Sequence, residues 1–191
     1  MAMAAPNPAR WSVDFAEYLR FELEAEERHE LIDGEIVAMA GATRRHNLLC
    51  ERLRDAIRPP LGRGPCVLVG SDQRLAVLSG SKGWVAYYPD LTVYCTDDVH
   101  PLNPETRINP QLVVEVTSKS TEKKDRGVKL EDYCQIDSLD EYLIVSHERC
   151  ELELWSRTPK GWTRRLAIDG ALQLRGGALI DVERLYAGLP D

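Results

Sequence analysis

Gln111-Leu112-Val113-Val114-Glu115-Val116-Thr117 is the stretch on which the reading of this chain turns. Its apolar residues are mostly β-branched and nearly continuous, the pattern of a strand covered on both faces rather than one face wet. A carboxylate in its midst is expensive: a buried Glu115 needs a cation, a set of donors or a raised pKa. Upstream, Pro89-Asp90-Leu91-Thr92-Val93-Tyr94 sets a second acid where another apolar strand begins, with Pro89 in the leading position that strands tolerate. Two such acids on neighbouring strands repel, and a hard divalent cation relieves the repulsion. Mg²⁺ takes one or two carboxylates, waters and phosphate oxygens, and in that setting can activate water and stabilise charge on a phosphoryl group. For either acid alone a structural role stays open, Asp90 capping a turn and Glu115 pairing with a basic side chain.

Downstream, Ser118-Lys119-Ser120-Thr121 supplies caps for a helix expected to run to about Gln135. Asp125, Lys129 and Tyr133 recur every four residues on it and share a face. From there Lys129 can reach back as a point charge to hold a water or a phosphate oxygen; taken alone, Asp125 and Lys129 read equally as an ordinary surface pair. Towards the N-terminus, Ser12 followed by Val13, Phe15, Ala16, Leu19 and Leu23 reads as an N-capped amphipathic helix. Asp33-Gly34 between apolar runs signals a hairpin. Residues 46–58 place Leu49, Leu53, Ala56 and Ile57 on one stripe, a helix expected to stop at Pro59-Pro60. Cys66 to Val69 and Arg74 to Leu78 read as a strand pair, and Leu91 to Cys95 as a further strand. Glu141 to Ser146, Cys150 to Arg157 and Trp162 to Ile168 read as an antiparallel meander, and Val182 to Leu189 as a closing helix. This order implies an α/β or α+β fold with a central mixed sheet flanked by helices. With no repeat or linker, residues 11–191 read as one domain behind an Ala/Pro-rich, disordered tail at 1–10.

Composition narrows the function classes. The 191 residues are 43% hydrophobic and 29% charged, an ordinary globular profile with no apolar run of membrane-spanning length. The net charge is −7 and the pI about 5.2, which disfavours bulk electrostatic binding of nucleic acid. The charge is uneven: residues 22–35 carry seven acids and one Arg, whereas 44–63 and 119–129 lean basic. Five scattered cysteines, with no CxxC and no Cys/His pair at zinc spacing, read as reduced core thiols of a cytoplasmic protein without a disulfide framework. The tryptophans and tyrosines read as packing groups before base-stacking ones. Ser118, Ser120 and Thr121 read as caps rather than nucleophiles, with no nucleophile elbow around them, and no phosphate loop or dinucleotide fingerprint occurs.

Pro89-Asp90 with Glu115-x-Thr117 resembles the PD-(D/E)-x-K, restriction-endonuclease-like nucleases. A wider ordered set is similar to one branch, the Uma-type putative restriction endonucleases. It comprises His29-Glu-Leu-Ile-Asp-Gly-Glu-Ile-Val, His46 opening a helix, Pro89-Asp90-Leu, Leu112-Val-Val-Glu-Val-x-Ser-x-Ser-Thr, Asp125-Arg-Gly-x-Lys129 with Tyr133, and Glu141-Tyr-Leu-Ile-Val. The resemblance implies a restriction-endonuclease-like core and Mg²⁺- or Mn²⁺-dependent hydrolysis of phosphodiester bonds, with DNA as the expected substrate. It implies Asp90, Glu115 and the main-chain carbonyl of Val116 as metal ligands, Lys129 as the catalytic lysine, and Glu30 and His46 as accessory groups. Glu30 reads equally as an exposed strand residue and His46 as a helix cap. The superfamily's lysine falls at position 117, here Thr117. The branch carries it on the following helix at Lys129, with Lys119 as competitor. The alternative is an inactive nucleic-acid- or protein-binding module that keeps the fold. A third reading is a metal-dependent enzyme on another phosphate substrate. A homodimer is the prior for an enzyme that cuts two strands, and no membrane partner is expected.

Overall fold

The computed structural model describes residues 12–39, 41–80 and 82–190, so the tail expected at 1–10 lies outside the described residues. In chain order, α1 (Phe15–Glu24) precedes β1 (His29–Ile32) and β2 (Glu35–Ala38), then α2 (Arg44–Leu61), β3 (Val67–Gly70), β4 (Leu75–Ser79), β5 (Gly83–Tyr87) and β6 (Leu91–Tyr94). β7 (Val99–His100), β8 (Asn103–Arg107) and β9 (Pro110–Thr117) follow, then the short helices α3 (Glu122–Asp125) and α4 (Val128–Tyr133). β10 (Glu141–Ser146), β11 (Leu152–Thr158), β12 (Gly161–Ala167), β13 (Ala171–Gln173), β14 (Leu179–Asp181) and α5 (Val182–Tyr186) complete the chain.

The fold is mixed α+β. Six strands in the order β12-β11-β10-β9-β6-β3 form the sheet that contains Glu115, and β9 is central in it. β9 runs parallel to β10 and antiparallel to β6. A second six-stranded sheet, β2-β1-β5-β4-β8-β7, packs alongside, and β13 and β14 make a separate ribbon. Leu112 through Thr117 are all buried, and side-chain alternation divides them between two cores. Leu112, Val114 and Val116 pack with Leu49, Leu53 and Ile57 of α2. Val113 faces the other way, against Tyr133 of α4, Tyr142 of β10 and Ile32, Leu75 and Tyr87 of the second sheet. By the same alternation Glu115 lies on the Val113 face, between the two sheets. The β6–β9 pairing is regular from Leu91↔Val114 to Val93↔Leu112 and shifts only between Val93 and Tyr94, where Tyr94 opposes Pro110.

The Asp33-Gly34 hairpin forms as expected, with positive φ at both residues (52° and 77°) and β1 paired antiparallel to β2. The meander β10-β11-β12 is likewise present. Several expectations need correction. The cap of α1 is Asp14, in a capping box with Glu17, not Ser12; the buried stripe is Phe15, Tyr18 and Glu22, and Leu23 is exposed. α2 continues through Pro59 and Pro60, because in the last turn they forgo only their own N–H donors and Gly62 N–H closes the turn on the Pro59 carbonyl at 3.1 Å. β3 and β4 do not pair with each other: β3 joins β6 and β4 joins β5, in different sheets. The single helix expected from Ser118 to Gln135 is broken at Gly127, where a Cβ would stand 2.7 Å from the Lys123 carbonyl oxygen.

The cysteine reading is also corrected. Cys66 and Cys95 form a disulfide, because the antiparallel register that opposes Val67 to Tyr94 also sets the next residues outward against each other. Only Cys50, Cys134 and Cys150 are free thiols, so uniformly reduced cysteines no longer support a cytoplasmic location. Among the described residues no helix is long and apolar enough to cross a membrane.

Candidate metal centre

Asp90 stands one residue before β6, and the β6–β9 register carried one step outward sets it opposite Glu115. Its Oδ2 accepts the Val116 N–H at 2.7 Å and its Oδ1 lies 2.9 Å from His46 Nε2. Both groups are part-exposed, at 14% and 19% of the side chain, whereas Glu115 is buried. Thr43, not His46, caps α2, its side chain accepting the His46 N–H. That leaves the imidazole free to reach Asp90.

Lys129 is the hub of the buried part. Its Nζ lies 2.7 Å from Glu30 Oε1, 3.0 Å from Glu115 Oε1 and 3.7 Å from Asp125 Oδ1, all with side chains less than a tenth exposed. Tyr133 OH donates to the same Glu115 Oε1 at 2.8 Å, and the Tyr87 ring lies under the ammonium at 5.4 Å. Asp125 and Lys129 are therefore a buried pair, not a surface one, and α3 and α4 bring them together despite the break between them. Glu30, on β1, is likewise buried rather than an exposed strand residue. Lys119 is 85% exposed and its ammonium pairs with Glu148 at 3.5 Å, away from the cluster.

Three carboxylates thus meet one ammonium, with Asp90 near Glu115 as a fourth acid, and burial together with that imbalance sets the titration behaviour. Burial pushes the Glu115 carboxyl well up; Lys129 opposes this but is outweighed by burial acting together with the charges of Asp125, Asp90 and Glu30. Asp125 is raised for the same first reason, burial, against the pull of Lys129. Burial would strip the proton from Lys129, but Glu115, Glu30 and Asp125 hold it well above its ordinary value. At His46 burial is overcome by the hydrogen bond and charge of Asp90, and the imidazole is raised. The buried acids keep protons first because they are out of water and second because the cluster's negative charge exceeds its own cations.

A divalent ion of the Mg²⁺ class fits this donor set. The oxygens are hard, the charge is short of cations, and Asp125 Oδ1 is buried without a hydrogen-bond partner. The cluster opens into a cleft of about 800 Å³ whose walls also carry Arg54, Lys119 and Lys124 and the hydroxyls of Ser118, Ser120 and Thr121.

Cys50 was missed by the sequence reading, which found no Cys/His pair at metal spacing. Four residues after His46 on α2, it brings its Sγ to the site, and one ligand atom each from His46, Cys50 and Asp90 lie within 4.8 Å of one another. The i, i+4 spacing inside an expected helix was the available signal. Burial, with Asp90 and Glu115 nearby, pushes the Cys50 thiol well up.

Comparison with known proteins gives the family and the fold. The family described as "Uma2: Putative restriction endonuclease" matches residues 15–189. Uncharacterized protein slr1290 of Synechocystis is 32% identical over 176 residues, covering 91% of this chain and 90% of that protein. Uncharacterized protein sll1609 of the same organism is 34% identical over 131 residues, covering 68% and 72%. A crystal structure of a putative nuclease belonging to DUF820 from Anabaena variabilis superposes with a TM-score of 0.72 at 13% identity, covering 92% of this chain and 98% of that one; at that identity the likeness is one of fold.

Proposed function

This chain belongs to the Uma2 family of putative restriction endonucleases, and from that premise we propose that it is a metal-dependent phosphodiesterase acting on DNA within the cleft. The observation that carries the proposal is the Lys129 ammonium, 3.0 Å from Glu115 Oε1. It supplies from a helix the positive charge that Thr117 cannot supply from the strand. Asp90 and Glu115 would hold the ion, Mg²⁺ or Mn²⁺, helped by the Val116 carbonyl. In an extended strand that carbonyl points to the same edge as the Val116 N–H, which already meets Asp90. When bound, the ion supplies Lewis acidity at the phosphoryl oxygen and a more acidic water.

The chain's own residues do the rest. Lys129 Nζ, fixed by Glu30 and Glu115, holds the attacking water or a phosphate oxygen by a charge-assisted hydrogen bond. Tyr133 fixes the Glu115 carboxylate from behind, and His46 orients Asp90. Arg54, Lys119 and Lys124 stand among the acids of the cleft wall, Arg54 paired with Glu51 and Lys119 with Glu148, so Lys124 and a bound ion would supply the charge that meets the phosphate backbone there. Hydrolysis breaks one P–O ester bond and adds water across it, leaving a phosphomonoester and an alcohol.

Supercoiled plasmid incubated with the protein and Mg²⁺ or Mn²⁺ tests the reading. Wild type is expected to nick, while Asp90→Ala with unchanged melting behaviour is not. Undiminished nicking by Asp90→Ala would sink the site. The second reading, a binding module without catalysis, is favoured by Thr117, which stands where the superfamily's lysine falls. Plasmid binding with no cleavage under either ion would establish it instead.

A further inference from the structure

We propose that His46, Cys50 and Asp90 form a three-ligand site for a borderline divalent ion of the zinc class, adjoining the oxygen-rich centre through their common Asp90. The inference does not require that the neighbouring centre cut nucleic acid. Three observations carry it. One nitrogen, one sulfur and one oxygen ligand atom lie within 4.8 Å of one another, and tetrahedral zinc with bonds of about 2.0–2.3 Å sets its ligand atoms roughly 3.3–3.5 Å apart. Small side-chain rotations close the set. His46 and Cys50 come from one face of an 18-residue helix, one turn apart, so their spacing is fixed before any ion arrives. Asp90 is pre-aimed: the Val116 N–H holds Oδ2, and Oδ1 already faces His46 Nε2 at 2.9 Å.

The chemistry of the set selects the ion. A thiolate is a poor ligand for Mg²⁺, which wants oxygens in an octahedron, and a good one for zinc. Three protein ligands leave a fourth position open towards the cleft that the same residues line. Binding replaces the Cys50 S–H bond by an S–metal bond and releases that proton to solvent. It also exchanges the His46–Asp90 hydrogen bond for two bonds to the ion, and the proton of that hydrogen bond passes to the other ring nitrogen of His46 or to solvent. Cys66 and Cys95 are tied together, and neither Cys134 nor Cys150 lines the cleft. Cys50 is the free thiol placed to act there.

The full chain, free of chelators and thiol reductants, is titrated with Co²⁺ alone as the spectroscopic probe. The expected result is a sulfur-to-cobalt charge-transfer band in the near ultraviolet that saturates at one equivalent and is abolished by added Zn²⁺. Cys50→Ser should remove the band, His46→Gln should weaken Co²⁺ binding at least about ten-fold, and Cys134→Ser with Cys150→Ser should leave it intact. Because Cys50→Ser could fail to fold, alkylation of Cys50 in the wild type is followed in parallel, and one equivalent of Zn²⁺ should slow it at least ten-fold. No band at one equivalent, a band that survives Cys50→Ser, or alkylation indifferent to Zn²⁺ would each overturn the proposal. None of these readouts depends on nuclease activity, so failure of that reading is scored separately, by the plasmid assay.

Discussion

Replacing Lys129 by Met retains the length and the apolar stem but removes the ammonium that faces Glu30, Glu115 and Asp125. The side chain is 7% exposed and the three carboxylates 8%, 6% and 3%, so solvent cannot replace it. Deleting one partner of a buried ion pair destabilises by about 3–5 kcal/mol. For a chain of this size each kcal/mol lowers the melting temperature by about 2–4 °C, which gives a fall of roughly 6–20 °C. The carboxylates can escape part of the penalty by holding protons. Glu115 and Asp125 already have raised pKa values, and without the ammonium they rise further. The loss is therefore expected to be largest near pH 8.5, smaller near pH 5, and partly reversed at the higher pH by millimolar Mg²⁺. Thermal unfolding followed by circular dichroism at both pH values, with EDTA and with Mg²⁺, measures all of this. A shift under 2 °C at pH 8.5, or a penalty equal at both pH values, would refute the reasoning.

In the metal-free wild type, Glu115, Asp125 and His46 are all raised, so the folded chain holds their protons more tightly than the unfolded one. Their contribution to stability is complete below the ordinary pKa values, about 4 for the acids and 6.5 for His, and is lost as pH climbs through the raised ones. The melting temperature in EDTA should fall from mildly acid to mildly alkaline pH, and Glu115→Gln should flatten the slope; a steeper slope in that variant would contradict the assignment. The Cys66–Cys95 bond spans a sequence separation of 29, and closing a loop of that order contributes about 3–4 kcal/mol. Cys66→Ser should lower the melting temperature clearly, and thiol titration of the unfolded wild type should rise from three to five groups on reduction; five groups before reduction would exclude the bond. Gly127→Ala drives a Cβ against the Lys123 carbonyl and should destabilise the protein while displacing Asp125 relative to Lys129. Melting and metal affinity should both fall, and an unchanged pair would show that the helix break can be filled.

Much of the candidate site was legible because acids in or beside apolar strands strain an ordinary rule of burial. Glu115, buried within β9, and Asp90, part-exposed at the entry to β6, could be picked out that way, and Lys129 by the family resemblance together with its place on the next helix. The Asp33-Gly34 turn and the 141–168 meander were legible because local turn chemistry and alternation determine them. What escaped depends on register and tertiary contact. Nothing in the spacing of Cys66 and Cys95 announces that β3 pairs with β6, and the same pairing separates β3 from β4. The second sheet draws β5, β7 and β8 from segments with no clean alternation. Cys50 looked like one more apolar helix residue until α2 was set beside Asp90, and Asp125 like a surface partner until β1 and α4 brought Glu30 and Lys129 to it. Gly127 broke the expected helix because its backbone packs too closely on the preceding turn for any side chain.

The single irregularity in the β6–β9 pairing, between Val93 and Tyr94, sits at the end of the ladder away from Asp90. A change in length within the 95–109 connection therefore has somewhere to be absorbed. It can be taken up at the Tyr94–Pro110 end while the rungs from Leu91 to Val93 stay in step. On the opposite side no such slack exists: one residue inserted between Asp90 and Leu91, or between Val114 and Glu115, would turn a carboxylate to the wrong face. A change of chain length thus has a tolerant place in the exposed turn at 96–98 and a forbidden one at 89–91, and the two are separated by a single short strand.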